Sequence, residues 1–398
     1  MDIDAFRSSP VGDLVPITVP ERDGSIDYFA YVPDPLPNTP HLDSSTWTRV
    51  IDAASALAEL RTLAEDRLPD PVLIGRITVR REAVSTSALE GTYAPARDVL
   101  TSEIDEDTPR NQGVIEILNY VAAWEIASAS ELPICTRLAC ELQERLVRGT
   151  ASEDHQAGAV RATQVLLGPY AGCTILESSY VPPPPGDYLV RGLSDWERWL
   201  HESPVHEVVR VALGHYQFEA LHPFTDGNGR IGRLLAILQL VRSGLLPGPL
   251  INLSPYFERR SEEYRHRLRT VSTEGAIDEW VSYFCIAIEH QAEEAQATIR
   301  ALLTWRDETV ASLRQKSRKG SVVALVPFLI QYPMITVKQA SRLLDVSIPT
   351  ANNAMNALAE IGVVSESTGG NYARVFEATA VINLIFGDRL AQDRSGGS

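Results

Sequence analysis

Apolar positions between Ser45 and Gln315 recur mostly at helical spacing, so most of the chain is predicted as helix. In "STWTRVIDAASALAELRTLAEDRL", Trp47, Val50, Ile51, Ala54, Leu57 and Leu60 repeat in this way behind a serine or threonine cap. A second helical run goes from Pro71 to about Leu89 and closes at Gly91, where a left-handed cap fits. More helices follow from about Asp107 to Leu200. Over residues 205 to 221, Val208, Val209, Ala212, Leu213 and Tyr216 mark a buried stripe. The next run, "IGRLLAILQLVRSGLL", is so apolar that it predicts a central buried helix. Further helices run through "IDEWVSYFCIAIEHQAEEAQATIRALLTWRDETVASLRQ".

Three stretches break this pattern. Residues 1 to 44 are rich in proline, which removes backbone donors, and are expected as an extended arm on a helical body. "GAVRATQVLLGPYAGCTILESSYVPPPPGDY" joins β-formers to four prolines, Pro182 to Pro185, and predicts a short β-hairpin near residues 161 to 181 ending in a rigid turn. At "KSRKGS", residues 316 to 321, the composition shifts. Beyond it come helix, turn, helix and two β-prone runs around "STGGN", the order of a winged helix-turn-helix. The fold class is therefore mainly α, with a small β-hairpin and a C-terminal winged helix-turn-helix. The expected division is 1–106 for the arm and first helices, 107–300 for a core, 301–320 for a helical linker and 321–390 for the winged unit.

Composition narrows the function. A net charge of −16 over 398 residues argues against general affinity for nucleic acid or a membrane surface. Cys135, Cys140, Cys173 and Cys285 show no CxxC spacing, which favours unpaired thiols in a reducing compartment and no zinc site. No run of about eighteen apolar residues occurs. A cytoplasmic location and no membrane partner are expected.

Chemistry concentrates in "FEALHPFTDGNGRIGR", residues 218 to 233. Gly227 and Gly229, at a helix start, allow consecutive amide N–H groups to converge on phosphate oxygens. Arg230 and Arg233 lie three apart on that helix, and each can fork onto further phosphate oxygens, which suits a polyphosphate. Asp226 would repel phosphate unless a cation lay between them, and Mg2+ is the natural choice. His222 is suited to taking a proton from a hydroxyl near neutral pH. The set suggests transfer of a nucleotide fragment to an alcohol.

The string resembles the motif of the Fic family, His-x-Phe-x-Asp/Glu-Gly-Asn-Gly-Arg-x-x-Arg. It is matched by His222, Phe224, Asp226, Gly227, Asn228, Gly229, Arg230 and Arg233. The resemblance implies a helical core that transfers AMP from Mg-ATP to a Ser, Thr or Tyr hydroxyl of a target protein. By carry-over, His222 is the general base and Asp226 the magnesium ligand. Gly227, Asn228 and Gly229 cradle phosphates together with Ile231 and Gly232 of the same turn, Arg230 assists, and Arg233 grips the γ-phosphate. Phe224 fixes the loop. Tyr256 is a candidate for the adenine pocket. The hairpin near 161–181 corresponds to the family's flap, onto which the target would dock by strand addition. A homodimer is a further implied assembly, although no apolar stripe marks an interface.

"TSALEG" resembles the family's inhibitory motif at Thr86, Glu90 and Gly91. A carboxylate in the last turn of a helix needs a compensating cation, and the resemblance points to Arg233. Glu90 would then hold ATP in a non-productive pose, and in some relatives the same glutamate supports AMP removal. The C-terminal unit raises an alternative, a nucleotide-sensing DNA-binding regulator. Its second helix, "IPTANNAMNALAEIG", has no lysine or arginine, so protein contact is favoured, with Asn352, Asn353 and Asn356 left to read adenine edges if DNA binds.

Overall fold

The chain is described from a computed structural model, which covers residues 1–21, 24–68, 71–104, 110–168, 170, 172–367 and 374–395. It opens with a short helix, α1 (Ile3–Arg7), and an antiparallel hairpin of β1 (Gly12–Glu21) and β2 (Gly24–Pro33). Helices follow: α2 (Ser44–Arg67), α3 (Pro71–Leu89), α4 (Ala96–Ser102), α5 (Gln112–Ala129), α6 (Thr136–Val147), α7 (Asp187–Glu202), α8 (Glu207–Leu221), α9 (Asn228–Arg242), α10 (Ser254–Arg259), α11 (Ser261–Glu274) and α12 (Ile277–Gln315). The C-terminal part contains α13 (Ser321–Leu325), α14 (Phe328–Gln331), β3 (Met334–Thr336), α15 (Val337–Leu344), α16 (Ile348–Glu360), β4 (Ser365–Glu366), β5 (Val375–Glu377) and α17 (Thr379–Ser395). Its three strands pair antiparallel in the order β3-β5-β4.

Helix α9 is the centre of the core. Ile231, Leu234, Leu235, Ala236, Ile237, Leu238 and Leu240 are all buried, so every face of it meets protein, as the unbroken apolar run requires. Helices α3, α5, α6 and α8 surround it. Two buried tryptophans fix α8 by donating their indole N–H groups to its carbonyls, Trp196 to Gly214 at 2.9 Å and Trp280 to Ala212 at 2.8 Å. Each indole thereby satisfies its one polar atom while its rings fill the core.

Several expectations change on contact with the structure. The N-terminal arm is a ten-residue-per-strand hairpin. Pro16 and Pro20 are tolerated because β1 pairs only with β2, leaving it an edge strand whose lost donors face no partner. Among the described residues, the hairpin expected near 161–181 shows one antiparallel bridge, Leu167 with Tyr180. Both Ser179 and Tyr180 donate to the one Leu167 carbonyl, and the Val181 carbonyl accepts from Tyr31 of β2 at 2.8 Å. The segment thus spends part of its pairing capacity on the N-terminal hairpin. Ala30, Ile175 and Val181 form a small separate core between them.

The helical linker expected over 301–320 is the far half of α12, a helix of 39 residues that begins in the core. The tip of the expected wing, residues 368 to 373, lies outside the described residues. The C-terminal part is seated on the N-terminal helices. Helices α14 and α17 pack on α3. Arg97 of α4 forms a two-pronged ion pair, 2.8 Å at each prong, with the buried Glu377 carboxylate of β5. Arg76 lies 4.8 Å over the ring of Tyr332. Among the described residues no helix is long and apolar enough to cross a membrane.

Helices α2 and α12 run together over most of their shared length, and Asp278 ties their starts. Its carboxylate accepts from the Asp43 amide at 2.8 Å and the Thr46 hydroxyl at 2.9 Å. Thr46 is buried, so losing the acceptor strands its hydroxyl. Asp278→Ala is expected to lower unfolding free energy by about 1–3 kcal/mol in urea titration, with Asp278→Asn losing less. Equal midpoints for all three proteins would show that the tie contributes nothing.

Candidate active site

The site forms where α8 ends and α9 begins. His222 caps α8 in the left-handed region, φ 49 and ψ 63, while its amide still donates to the Phe218 carbonyl. A residue with a Cβ reaches that region at a cost of about 1–2 kcal/mol, so the surroundings must hold it. They do so through Arg161, whose guanidinium donates to the His222 carbonyl at 2.8 Å. Phe224 and Asn228 clamp the intervening loop. The Asn228 side chain accepts from the Phe224 amide at 2.8 Å and donates to the Phe224 carbonyl at 2.9 Å. Phe224 itself is fully buried.

Gly227 is the N-cap of α9 at φ 84, and a Cβ there would come within 2.8 Å of Leu146. Both facts require glycine. At Gly229 a Cβ would run into the Glu90 carboxylate and the Arg233 guanidinium. The first turn of α9 therefore faces an acidic oxygen at close range, an anion at a positive helix end.

Glu90 follows the last residue of α3, and Gly91, at φ 88, turns the chain away from the helix. The Glu90 carboxylate pairs with Arg233 at 2.5 Å. Thr86, one turn earlier, receives the Arg233 Nε–H on its hydroxyl at 2.8 Å. Arg233 is 1% exposed. Burial works against its charge, but Glu90, then Tyr264 and Glu219, outweigh this and hold its pKa above the ordinary guanidinium value. Arg230 is nearly as buried and pairs with Glu116 of α5 at 2.8 Å and more loosely with Asp226 at 3.5 Å. Its Nε has no hydrogen-bond partner among the described residues.

Asp226 is about half exposed, and the Ser152 hydroxyl donates to its Oδ2. Gln143 holds the same loop by donating to the Asp226 carbonyl at 3.2 Å and accepting from the Gly158 amide at 2.7 Å. Burial, and next the Arg161 cation, pull the His222 pKa down to about 4, so its imidazole is neutral near pH 7. Two carboxylates beside Arg233 move the other way. Burial pushes Glu82 up to about 7 against the hydrogen bonds from Ser254, and Glu219 up to about 7 against the pull of Arg233. Glu219 lines a cavity of about 380 Å³ between Leu167 and Tyr180 on one side and Arg265 and Arg269 of α11 on the other.

Most of the sequence-predicted residues therefore converge: His222, Asp226, the 227–233 turn, Thr86 and Glu90. Tyr256 stands apart from this group. It packs in an aromatic layer with Phe257, Tyr283 and His290, under the Arg260 guanidinium at 4.1 Å, and does not line the cavity beside the motif. That cavity draws instead on Tyr180 and Tyr216. Sequence reading missed Arg161, Glu116, Ser152 and Gln143. It also passed over Glu219, although that residue stands three positions before His222 in the quoted motif.

Comparison with known proteins agrees with this geometry. The model of the Fic/DOC family N-terminal region matches residues 47–129, and that of the Fic/DOC family matches residues 133–240. The chain is similar to "Protein adenylyltransferase Fic" of Drosophila ananassae, 32% identical over 213 residues, covering 51% of this chain and 39% of that protein. With the same protein of Drosophila virilis it shares 31% over 251 residues, covering 60% and 46%. The chain thus spans less than half the length of these two relatives. A crystal structure of a Fic family protein from Desulfovibrio desulfuricans G20 has the same fold, with a TM-score of 0.55 at 19% identity over 86% of this chain and 98% of that one. On the motif, the helical frame around it and the two matched regions, residues 47–129 and 133–240 carry the two regions of the Fic/DOC family.

Proposed function

We propose that this protein transfers AMP from ATP to a hydroxyl of a target protein, and that Glu90 restrains the transfer. The observation that carries the reading is the contact between the Glu90 carboxylate, Arg233 and the first turn of α9. An anionic group already occupies the place where a nest of amides and a buried arginine would receive phosphate. The relatives' printed name, protein adenylyltransferase, supports the reaction class.

The residues divide the work. His222, held neutral by burial and Arg161, accepts the proton of the target hydroxyl. The freed oxygen attacks the α-phosphorus, the bond to the bridging oxygen of the β-phosphate breaks, and pyrophosphate leaves. The α9 amides from Gly227 to Gly229 stabilise the phosphate charge, with Ile231 and Gly232 closing the same turn. Arg230, whose Nε is unpartnered, and Arg233, once Glu90 withdraws, hold the remaining phosphates. Asp226 fits magnesium, being a half-exposed carboxylate already oriented by Ser152, and would hold the ion where it would supply charge neutralisation. A carboxylate close to the transferred group could equally activate water to reverse the modification, so Glu90 is assigned both roles. The four free cysteines favour a reducing, cytoplasmic setting.

The C-terminal unit is assigned to protein contact. The exposed start of α16 offers Ile348, Pro349 and Thr350 without a basic residue, and Arg374 is neutralised by Glu366 at 2.7 Å. A DNA reader needs unpaired basic groups.

Glu90→Gly is expected to raise AMP transfer, including self-modification, at least about tenfold, measured by labelled ATP, a barrier change of about 1.4 kcal/mol. Unchanged turnover would remove the restraint. His222→Ala in that background should abolish labelling. Because the base must be neutral and its pKa is pulled to about 4, kcat/KM should stay level from pH 8 down to about 5 and fall only below that. An acid limb near pH 6.5 would contradict the depressed imidazole.

A further inference from the structure

Arg161 is 1% exposed and, among the described residues, pairs with no carboxylate. Burial alone pulls its pKa down to about 10. A buried cation without a counter-ion is expensive and persists where its hydrogen bonds are all made. Every acceptor here is a main-chain carbonyl. Nε donates to His222 at 2.8 Å, one terminal nitrogen to Pro183 at 2.6 Å and, more loosely, to Leu221 at 3.5 Å, and the other to Thr163 at 3.2 Å. The Arg161 amide adds a bond to the Pro223 carbonyl at 2.9 Å.

The acceptors fall into two groups. Leu221, His222 and Pro223 are the strained cap that carries the base. Thr163 and Pro183 are the two stems of the segment whose bridge joins Leu167 to Tyr180. One planar fork spans both groups, which the single nitrogen of a lysine cannot do. Two further contacts reinforce the same joint: the Tyr180 hydroxyl donates to the Ala220 carbonyl at 2.7 Å, and the Gln164 side chain to the Pro182 carbonyl at 2.9 Å.

We propose that Arg161 is a positioning residue that sets the register between the His222 imidazole and the 163–183 segment, so that a hydroxyl presented along that segment meets the base. This rests on the transferase reading above. The same cation stands closest in effect to His222 after burial itself, so it also keeps the imidazole unprotonated.

The test uses the full chain carrying Glu90→Gly. Arg161→Lys keeps the charge but not the span. Self-modification from labelled ATP should fall at least tenfold in rate, while the ATP dissociation constant, read by calorimetry, stays within twofold. Arg161→Met removes the charge as well. The His222 ring, followed by carbon-13 NMR and assigned by its loss in His222→Ala, should then titrate at higher pH, toward the ordinary value of about 6.5. A parental transfer rate in Arg161→Lys overturns the proposal, as does a folded Arg161→Met whose His222 titration stands still. Should Arg161→Met fail to fold, the lysine variant decides. Should the Arg161-intact parent transfer nothing, the transferase reading falls, and the His222 titration decides alone whether Arg161 governs that ring.

Discussion

A guanidinium in the middle of a protein cannot be left alone, and Arg233 lies on a helix buried on every side. Its charge must be answered by neighbouring elements, so Thr86 and Glu90 at the end of α3 are drawn against α9. Arg230, one turn earlier on the same helix, makes a like demand on Glu116 of α5. Removing a partner from such a pair leaves an uncompensated buried charge, a larger penalty than the pair's own net gain. On the proposed reading, restraint and fold share one bond. Glu90 can withdraw only if another anion takes its place beside Arg233, and a triphosphate has the charge to do so. In that proposal, triphosphate binding and movement of Glu90 are two sides of one equilibrium.

The surrounding titratable groups are consistent with this need for a single dominant cation. His215 sits behind Arg233, buried among Phe257, Tyr264, Trp280 and Phe284, with its Nε2 2.7 Å from the Tyr264 hydroxyl. Burial, and next Arg233, pull its pKa down to about 3, so it adds no second positive charge. Glu82 and Glu219 are held near 7 by burial, which limits how much negative charge competes with Glu90 for the same guanidinium. Low dielectric surroundings thus leave Arg233 charged, His215 neutral and Glu82 and Glu219 only partly ionised near pH 7.

What could be read in advance follows from how far apart the interacting residues lie along the chain. The motif from His222 to Arg233 is one turn and one helix start, so its parts sit together in sequence as they do in space. The helices from α2 to α9, except α4, follow from apolar periodicity, and Gly91 announced the end of α3. Arg161 and Glu116 gave no such signal, since they meet the motif across 61 and 114 residues as solitary charged side chains. The N-terminal hairpin was legible and passed over. Proline counted against a strand, although edge strands accept it, and Asp23-Gly24 between two β-prone runs is a hairpin signal. The 161–181 segment misled for the opposite reason. Its β-formers are real, but part of their pairing goes to β2, a partner no local pattern names.

The seating of the C-terminal part on α3 bears on how the chain can be divided for study. Composition at residues 316 to 321 invites a cut there, and α12, about 58 Å long at 1.5 Å per residue, looks like a handle to cut through. Such a fragment would lose α14 and α17 from α3, strip Glu377 from Arg97, and remove Tyr332 from beneath Arg76. Water would then reach parts of the helix that precedes Glu90. Catalytic rates measured on a truncated Fic region would describe a helix with one wall missing, and a fragment that ran fast or precipitated would be reporting the missing wall as much as its own chemistry.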